Sequence, residues 1–497
     1  MSTYQFVALL LAGIGPVLAL AGLIRVPTTL VLFALGLASA FLPGVPVAAV
    51  DPQLVLNLFL PPLLYASTVR VSWHLLRFTL VPGICLGALL VPATIGAAAM
   101  AARLLLPGLS WNGALLIGTV AAIFDTRLFH EAKGRPHVPR AIADTLKARE
   151  FPTRIIVLAS FALLVETTVT GRFSFLTPLE HYGFNIPAGI LIGFAIGYAI
   201  ATARRHVGPA ATEIAVSIAT PYAAALAATA LGVSAAAAIM TAALAVSAVR
   251  IDRLSGAPIS SSETRINATA FWEEISMMVS SGLLFLAGHA LPEALGALDD
   301  RPFWQLFGAT FVLLLLVLGL QFLFSYASTI FQPVAGVVRG REPATRPSRG
   351  AVAALMAWSS TRSVIGLVIA LSIPTTLPDG TPFPERDLIL VVAALTIVGS
   401  VILQGLTLGH AVAGAALADP CEREREEEIA RQAIEHASRS PGREHANGFD
   451  AARQALVRLR EQDRIGDETM VRMLRETDLL SRAAEGDALP GSGPPNP

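Results

Sequence analysis

Apolar runs long enough to cross a lipid bilayer recur along this chain as far as residue 410, and no other feature limits its fold as much. About 20 residues rising 1.5 Å each span the roughly 30 Å hydrocarbon layer, and a segment in lipid must satisfy its own backbone, which favours helices. About thirteen spans are predicted, at residues 5–23, 28–42, 53–69, 78–102, 113–129, 155–169, 186–203, 211–230, 233–249, 275–291, 303–324, 351–373 and 388–410. The expected class is an all-α polytopic membrane protein. The first run has no basic stretch ahead of it and is read as a retained membrane helix, not a cleaved signal peptide.

Charge is scarce, at 14% of residues, and unevenly placed. From Cys421 to Ala484 the chain is dense in Glu and Arg, so a membrane body over 1–415 is followed by a soluble helical tail over 416–485 and a Pro/Gly-rich end at 486–497, expected to be disordered. In the tail, residues 422–435 and 451–462 have helical spacing. The 36 basic and 36 acidic residues balance, which argues against a nucleic-acid partner. Two cysteines, Cys85 and Cys421, give neither a disulfide framework nor a metal cluster. No phosphate loop, HExxH or nucleophile elbow occurs, so no enzyme, cofactor or metal centre is expected.

Arginine and lysine in short loops mark the cytoplasmic face. Arg25, Arg70, Lys133, Arg204, Arg250 and Arg339 fall in alternate loops with most of their kind, whereas the opposite loops hold Arg103, Arg172, Arg301 and Arg386. The expectation is an external N-terminus, a cytoplasmic tail and a plasma-membrane location. In the seventh span Gly189, Gly193 and Gly197 recur every four residues and form one smooth face, suited to a tight helix crossing or a protomer contact.

A charge at the bilayer centre costs at least about 2.5 kcal/mol and needs a partner, a water cavity or a role. Asp125 lies in the fifth span with Arg127 close by. Arg149, Glu150 and Arg154 precede and open the sixth, Glu166 closes it, and Arg362 sits inside the twelfth among Ser359, Ser360, Thr361 and Ser363. Thr126 beside Asp125 and the serines around Arg362 are the composition of interrupted membrane helices, which build midplane sites in transporters. Two readings are open on these residues: an ion or proton site, or a structural network of mutually neutralising charges. Arg127 and Arg149 are expected to snorkel at the cytoplasmic mouth, and Glu166, His130 and His289 to lie at interfaces.

The segments LFLPPLLY at 58–65, GTVAAIFDT at 118–126, RINATAFWEEISMMVSSGLLFLAG at 265–288, AWSSTRSVIGLVIALSIP at 357–374 and ILQGLTL at 402–408 together resemble the monovalent cation/proton antiporter family, the sodium/proton exchangers, over nearly the whole chain. The resemblance implies two inverted repeats, broken and crossing fifth and twelfth spans, a homodimer, and exchange of Na+, K+ or Li+ for H+ by alternating access. It puts Asp125 on the family's ion-site aspartate and Arg362 on its Gly-Leu-Arg-Gly arginine.

The chain also departs from the family pattern. Ala66 stands where a Glu is usual, and Phe124, Asp125 and Thr126 replace Thr-Asp-Pro. Aligned without a gap, Glu-Ser-Leu-Leu-Asn-Asp falls with its Glu on Arg149, Ser on Glu150, Asn on Thr153 and Asp on Arg154; a one-residue slip restores Glu150 but puts Ile155 at the Asp. The expected ion or proton site is Asp125, Glu150, Thr126 and Thr153, with Arg154 and Arg362 as charge partners, Glu150 being either the second carboxylate or the ion-pair partner of Arg362. Arg154, whose guanidinium does not release its proton, is expected to reach Asp125 as a tethered cation. The expected function is exchange of H+ for Na+ or K+; the alternative is a transport-deficient or anion-selective member of the fold acting as a sensor or binding protein.

Overall fold

A computed structural model of the chain describes residues 15, 27–42, 51–69, 71, 73–126, 140–172, 176–204, 210–248, 262–298, 301–331, 348–415, 422–438, 445–462 and 464–487. Most of the first predicted span, the end of the fifth, Arg127, His130, Cys421 and residues 488–497 lie outside the described residues, while residues 486–487, expected to be disordered, close the last tail helix.

The described membrane body is helical: α1 (Thr28–Ser39), α2 (Leu60–Thr68), α3 (Trp73–Leu105), α4 (Trp111–Ala122), α5 (Arg140–Thr170), α6 (Ile186–Ala203), α7 (Ala210–Ala230), α8 (Ala235–Ala248), α9 (Ser262–Gly296), α10 (Phe303–Phe331), α11 (Arg349–Trp358), α12 (Val364–Leu371), α13 (Arg386–Ser400) and α14 (Leu406–Ala415). Single π-helical turns at Val55–Phe59, Leu179–Asn185 and Val401–Gly405 lead into α2, α6 and α14. Among the described residues, six helical stretches are long and apolar enough to cross a membrane, including Ile142–Thr170, Phe303–Ile330 and Arg386–Val412. α13 packs against α4, α9, α10 and α12.

Helices approach closely where glycine removes the side chain. α6 crosses α8 along Gly189, Gly193 and Gly197, and a methyl group on each would meet the carbonyl oxygens of Ser234, Ala238 and Ala242. The glycine face is therefore a tight crossing within one chain. Gly36 of α1 and Gly288 of α9 meet each other's helix backbone in the same way. In lipid no hydrophobic effect drives helices together, so such contact supplies dispersion and packing instead.

Two spans are interrupted. α4 ends at Ala122 and the chain runs extended through Ile123; α11 ends at Trp358 and resumes as α12 after Ser363, which caps the new helix by accepting a hydrogen bond from the Ile365 amide at 3.2 Å. The two extended pieces, β1 (Phe124–Asp125) and β2 (Thr361–Arg362), pair antiparallel, with Phe124 opposite Arg362 and Asp125 opposite Thr361. An antiparallel meeting of two breaks is the geometry that inverted halves produce.

The sixth predicted span begins too late. α5 runs unbroken from Arg140 to Thr170 and encloses Arg149, Glu150, Thr153 and Arg154, whose polarity lowers the hydropathy of a stretch that is nonetheless buried. In the tail, α15 (Glu422–Ser438), α16 (His445–Glu461) and α17 (Asp467–Asp487) gather Ala430, Leu456, Leu459, Ile465, Met470 and Met473 into a small core of their own, and α17 packs against α9.

Replacing Gly193 by Val forces a branched side chain into the α8 backbone, an overpacking that costs about 1–3 kcal/mol or more. The expected result is a lower thermal midpoint in detergent, whereas Gly308→Ala on α10, where a methyl group meets open space, leaves it unchanged or slightly raised. Equal midpoints for parent and Gly193→Val would contradict the tight crossing.

Candidate functional site

Interrupting a helix inside hydrocarbon leaves carbonyls without partners, and the site is built on how these are satisfied. Arg362 is buried; its Nη1 donates to the Ala121 carbonyl at the end of α4 at 2.6 Å, and its Nη2 to the Ser360 carbonyl beyond α11 at 2.9 Å. Each helix C-terminus carries roughly half a negative charge, so one guanidinium between two of them is electrostatically compensated without a carboxylate. Gln404 completes the arrangement: its Nε2 donates to the carbonyls of Ala357, Trp358 and Ser360 at 3.0–3.3 Å. Its Oε1 accepts from Ser400 Oγ, which in turn accepts from the Arg362 amide at 2.9 Å.

This framework holds Asp125 at the crossing. Thr361 Oγ1 donates to the Asp125 carbonyl at 3.0 Å, and Ser363 Oγ lies 3.5 Å from Asp125 Oδ2. From α5, Glu150 Oε1 accepts from both the amide and the hydroxyl of Thr126, at 2.8 and 2.6 Å. Arg154 Nη2 lies 2.7 Å from Glu150 Oε2 and 3.6 Å from Asp125 Oδ2. All four residues are buried. Two carboxylates, one guanidinium and a hydroxyl thus converge where the two interrupted spans meet.

Several expectations change in detail. Glu150 pairs with Arg154, not with Arg362, whose hydrogen bonds go to helix-end carbonyls. Arg154 reaches Asp125, but its hydrogen-bonded ion pair is with Glu150, since 3.6 Å is beyond hydrogen-bond range. Thr153 is buried on α5 with its hydroxyl unbonded and near Gly87 of α3; no hydrogen bond ties it to the carboxylates. Arg149 does not snorkel: it is 2% exposed, donates from Nη1 to Ser325 of α10 at 3.2 Å, and has its guanidinium carbon 5.7 Å from the centre of the Phe124 ring. His289 is also buried, with Nδ1 2.8 Å from Ser39 Oγ, so it is part of the α1–α9 packing and not interfacial. Glu166 is half exposed and pairs with His181 at 2.8 Å.

Gln404 and Ser400 are site-building residues that sequence reasoning missed. The available signal was a lone amide inside the otherwise apolar run 388–410, where an unpaired polar side chain would be costly. Replacing Gln404 by Leu strands the carbonyl of Trp358 and leaves Ser400 without its acceptor, at about 1–3 kcal/mol for each group left unsatisfied. The expected outcome is a lowered thermal midpoint and faster amide exchange confined to residues around 357–363; unchanged exchange there would contradict this role.

Three comparisons agree with this architecture. The family described as "Sodium/hydrogen exchanger, transmembrane" matches residues 6–414. An uncharacterized Na(+)/H(+) exchanger of Mycobacterium tuberculosis H37Rv is 27% identical over 394 residues, covering 77% of this chain and 69% of that protein. A sodium, potassium, lithium and rubidium/H(+) antiporter of Bacillus subtilis is 25% identical over 396 residues, covering 77% of this chain and 57% of that protein. In structure the chain resembles the sodium proton antiporter MjNhaP1 of Methanocaldococcus jannaschii, with a TM-score of 0.64 and 14% identity, covering 84% of this chain and 99% of that one. With a family match spanning the membrane body and a shared fold built on interrupted helices, the chain belongs to the sodium/hydrogen exchanger family of transmembrane proteins.

Proposed function

We propose that this protein is a secondary transporter that exchanges H+ for a monovalent cation, Na+ or K+, across the plasma membrane by alternating access, with Asp125 as the carboxylate that holds cation and proton in turn. The observation that carries the reading is the buried cluster of Asp125, Glu150 and Arg154 at the crossing of two interrupted spans. Relatives named as Na(+)/H(+) exchangers and antiporters support it.

Charge counting gives the reading a stoichiometry. Among the described residues the cluster brings together two carboxylates and one guanidinium, one net negative charge, and Arg154 lies closer to Glu150 than to Asp125. One proton or one monovalent cation cancels that charge, and holding both at once would leave an excess positive charge in a low-dielectric site. Competition for one charge couples the two ions: a proton must leave before a cation is held, and the reverse. The Thr126 hydroxyl donates to Glu150 Oε1, which leaves Oε2 to Arg154.

The arginine-rich alternate loops support an external N-terminus and a cytoplasmic tail. The family supports a homodimer.

In proteoliposomes carrying a pH gradient, addition of Na+ or K+ is expected to collapse the gradient with the parent protein, and Asp125→Asn to abolish the response while remaining folded. A cation response that survives in Asp125→Asn would refute the assignment of Asp125. For orientation, an impermeant thiol reagent is expected to label Cys421 in inside-out vesicles and not in intact cells; labelling in intact cells would reverse the topology.

A further inference from the structure

Among the described residues, three arginines are buried near the crossing, and two of them are compensated. Arg154 is paired with Glu150, and Arg362 is bonded to helix-end carbonyls. Arg149 is different. At 2% exposure it reaches no carboxylate within ion-pair distance among the described residues, its single hydrogen bond goes to a neutral serine, and its Nε and Nη2 have no hydrogen-bond partner. It bonds to no helix-end carbonyl, so it is not a cap, and it does not reach solvent, so it is not an anchor. The Phe124 ring face is attractive to a cation, worth about 0.5–2 kcal/mol, against several kcal/mol for burying an ion.

This charge is placed next to the ion site on both chain segments that form it. Phe124, against which the guanidinium rests, immediately precedes Asp125, and Arg149 itself immediately precedes Glu150. Across about 10 Å at an effective dielectric of about 20, repulsion between two unit charges changes a binding constant roughly tenfold.

We infer that Arg149 is an affinity-setting positioning residue that weakens cation binding at the Asp125–Glu150 site by placing an unneutralised positive charge one residue away from it on both of its chain segments. This rests on the reading of Asp125 and Glu150 as a cation site. The charge disfavours an entering Na+ or K+, so the ion binds weakly enough to leave. Ser325 fixes the guanidinium across the space between α5 and α10, which keeps the repulsion constant in this conformation.

The test is binding of radioactive sodium and rubidium ions to the detergent-solubilised protein at alkaline pH, where protons do not compete. Parent and Arg149→Gln are compared, alongside their thermal midpoints and their cation-driven proton flux in proteoliposomes. The expected result is a Kd about tenfold lower in Arg149→Gln and a KM that falls with it. The midpoint of Arg149→Gln is expected to hold or rise, because an uncompensated buried charge is gone. Equal Kd in parent and Arg149→Gln, or no cation binding by either, would overturn the inference. Absence of cation-driven flux from a parent that binds cations would instead remove the exchange reading, and the Kd ratio would still decide the role of Arg149.

Discussion

The structure depends on a solution to one problem, the carbonyl groups exposed when a helix is broken inside a membrane. Water is not there to solvate them, and each left bare would cost several kcal/mol. Arg362 and Gln404 meet that cost together, one with a guanidinium shared between the ends of α4 and α11, the other with an amide spread over three carbonyls. Because these breaks are stabilised, the two extended segments can pair as β1 and β2, and because they pair, Asp125 is held at a fixed place facing α5. The breaks therefore create the position of the carboxylate and do not merely accompany it.

The same electrostatic accounting distinguishes the three arginines buried near the crossing among the described residues. Arg362 is matched by two helix dipoles, Arg154 by a carboxylate at 2.7 Å, and Arg149 by an aromatic face and a serine. Of these three, Arg154 is the one that enters the carboxylate cluster, between Glu150 and Asp125. Residue type alone does not separate these roles; the identity of the atoms facing each guanidinium does.

Much of the fold was legible in the sequence because lipid imposes a simple code. Apolar runs, the glycine stripe of α6 and the serines around Arg362 each correspond to a spanning helix, a close crossing and a break. What was illegible has a common cause. Hydropathy treats a charged residue as a sign of solvent, so α5 was expected to begin at 155 and Arg149 to reach the interface, whereas both are inside. His289 was placed near a surface for the same reason, although Ser39 of a distant helix supplies its partner. Pairing between residues far apart in sequence, such as Gln404 with 357–360, leaves no local trace. The choice of Arg154 over Arg362 as the mate of Glu150 is likewise set by the turn of α5, which brings positions 150 and 154 together.

The central claim, that the cluster of Asp125, Glu150 and Arg154 exchanges one charge for one charge, is tested most directly by an electrical measurement. Cation-driven proton movement is recorded in proteoliposomes with the membrane potential clamped at several values by valinomycin and potassium, using Na+ as the driving ion. The account predicts that the rate does not vary with potential and that no net current accompanies turnover. A steady current, or a rate that changes systematically with potential, would mean that the site carries more than one exchangeable charge and would contradict it.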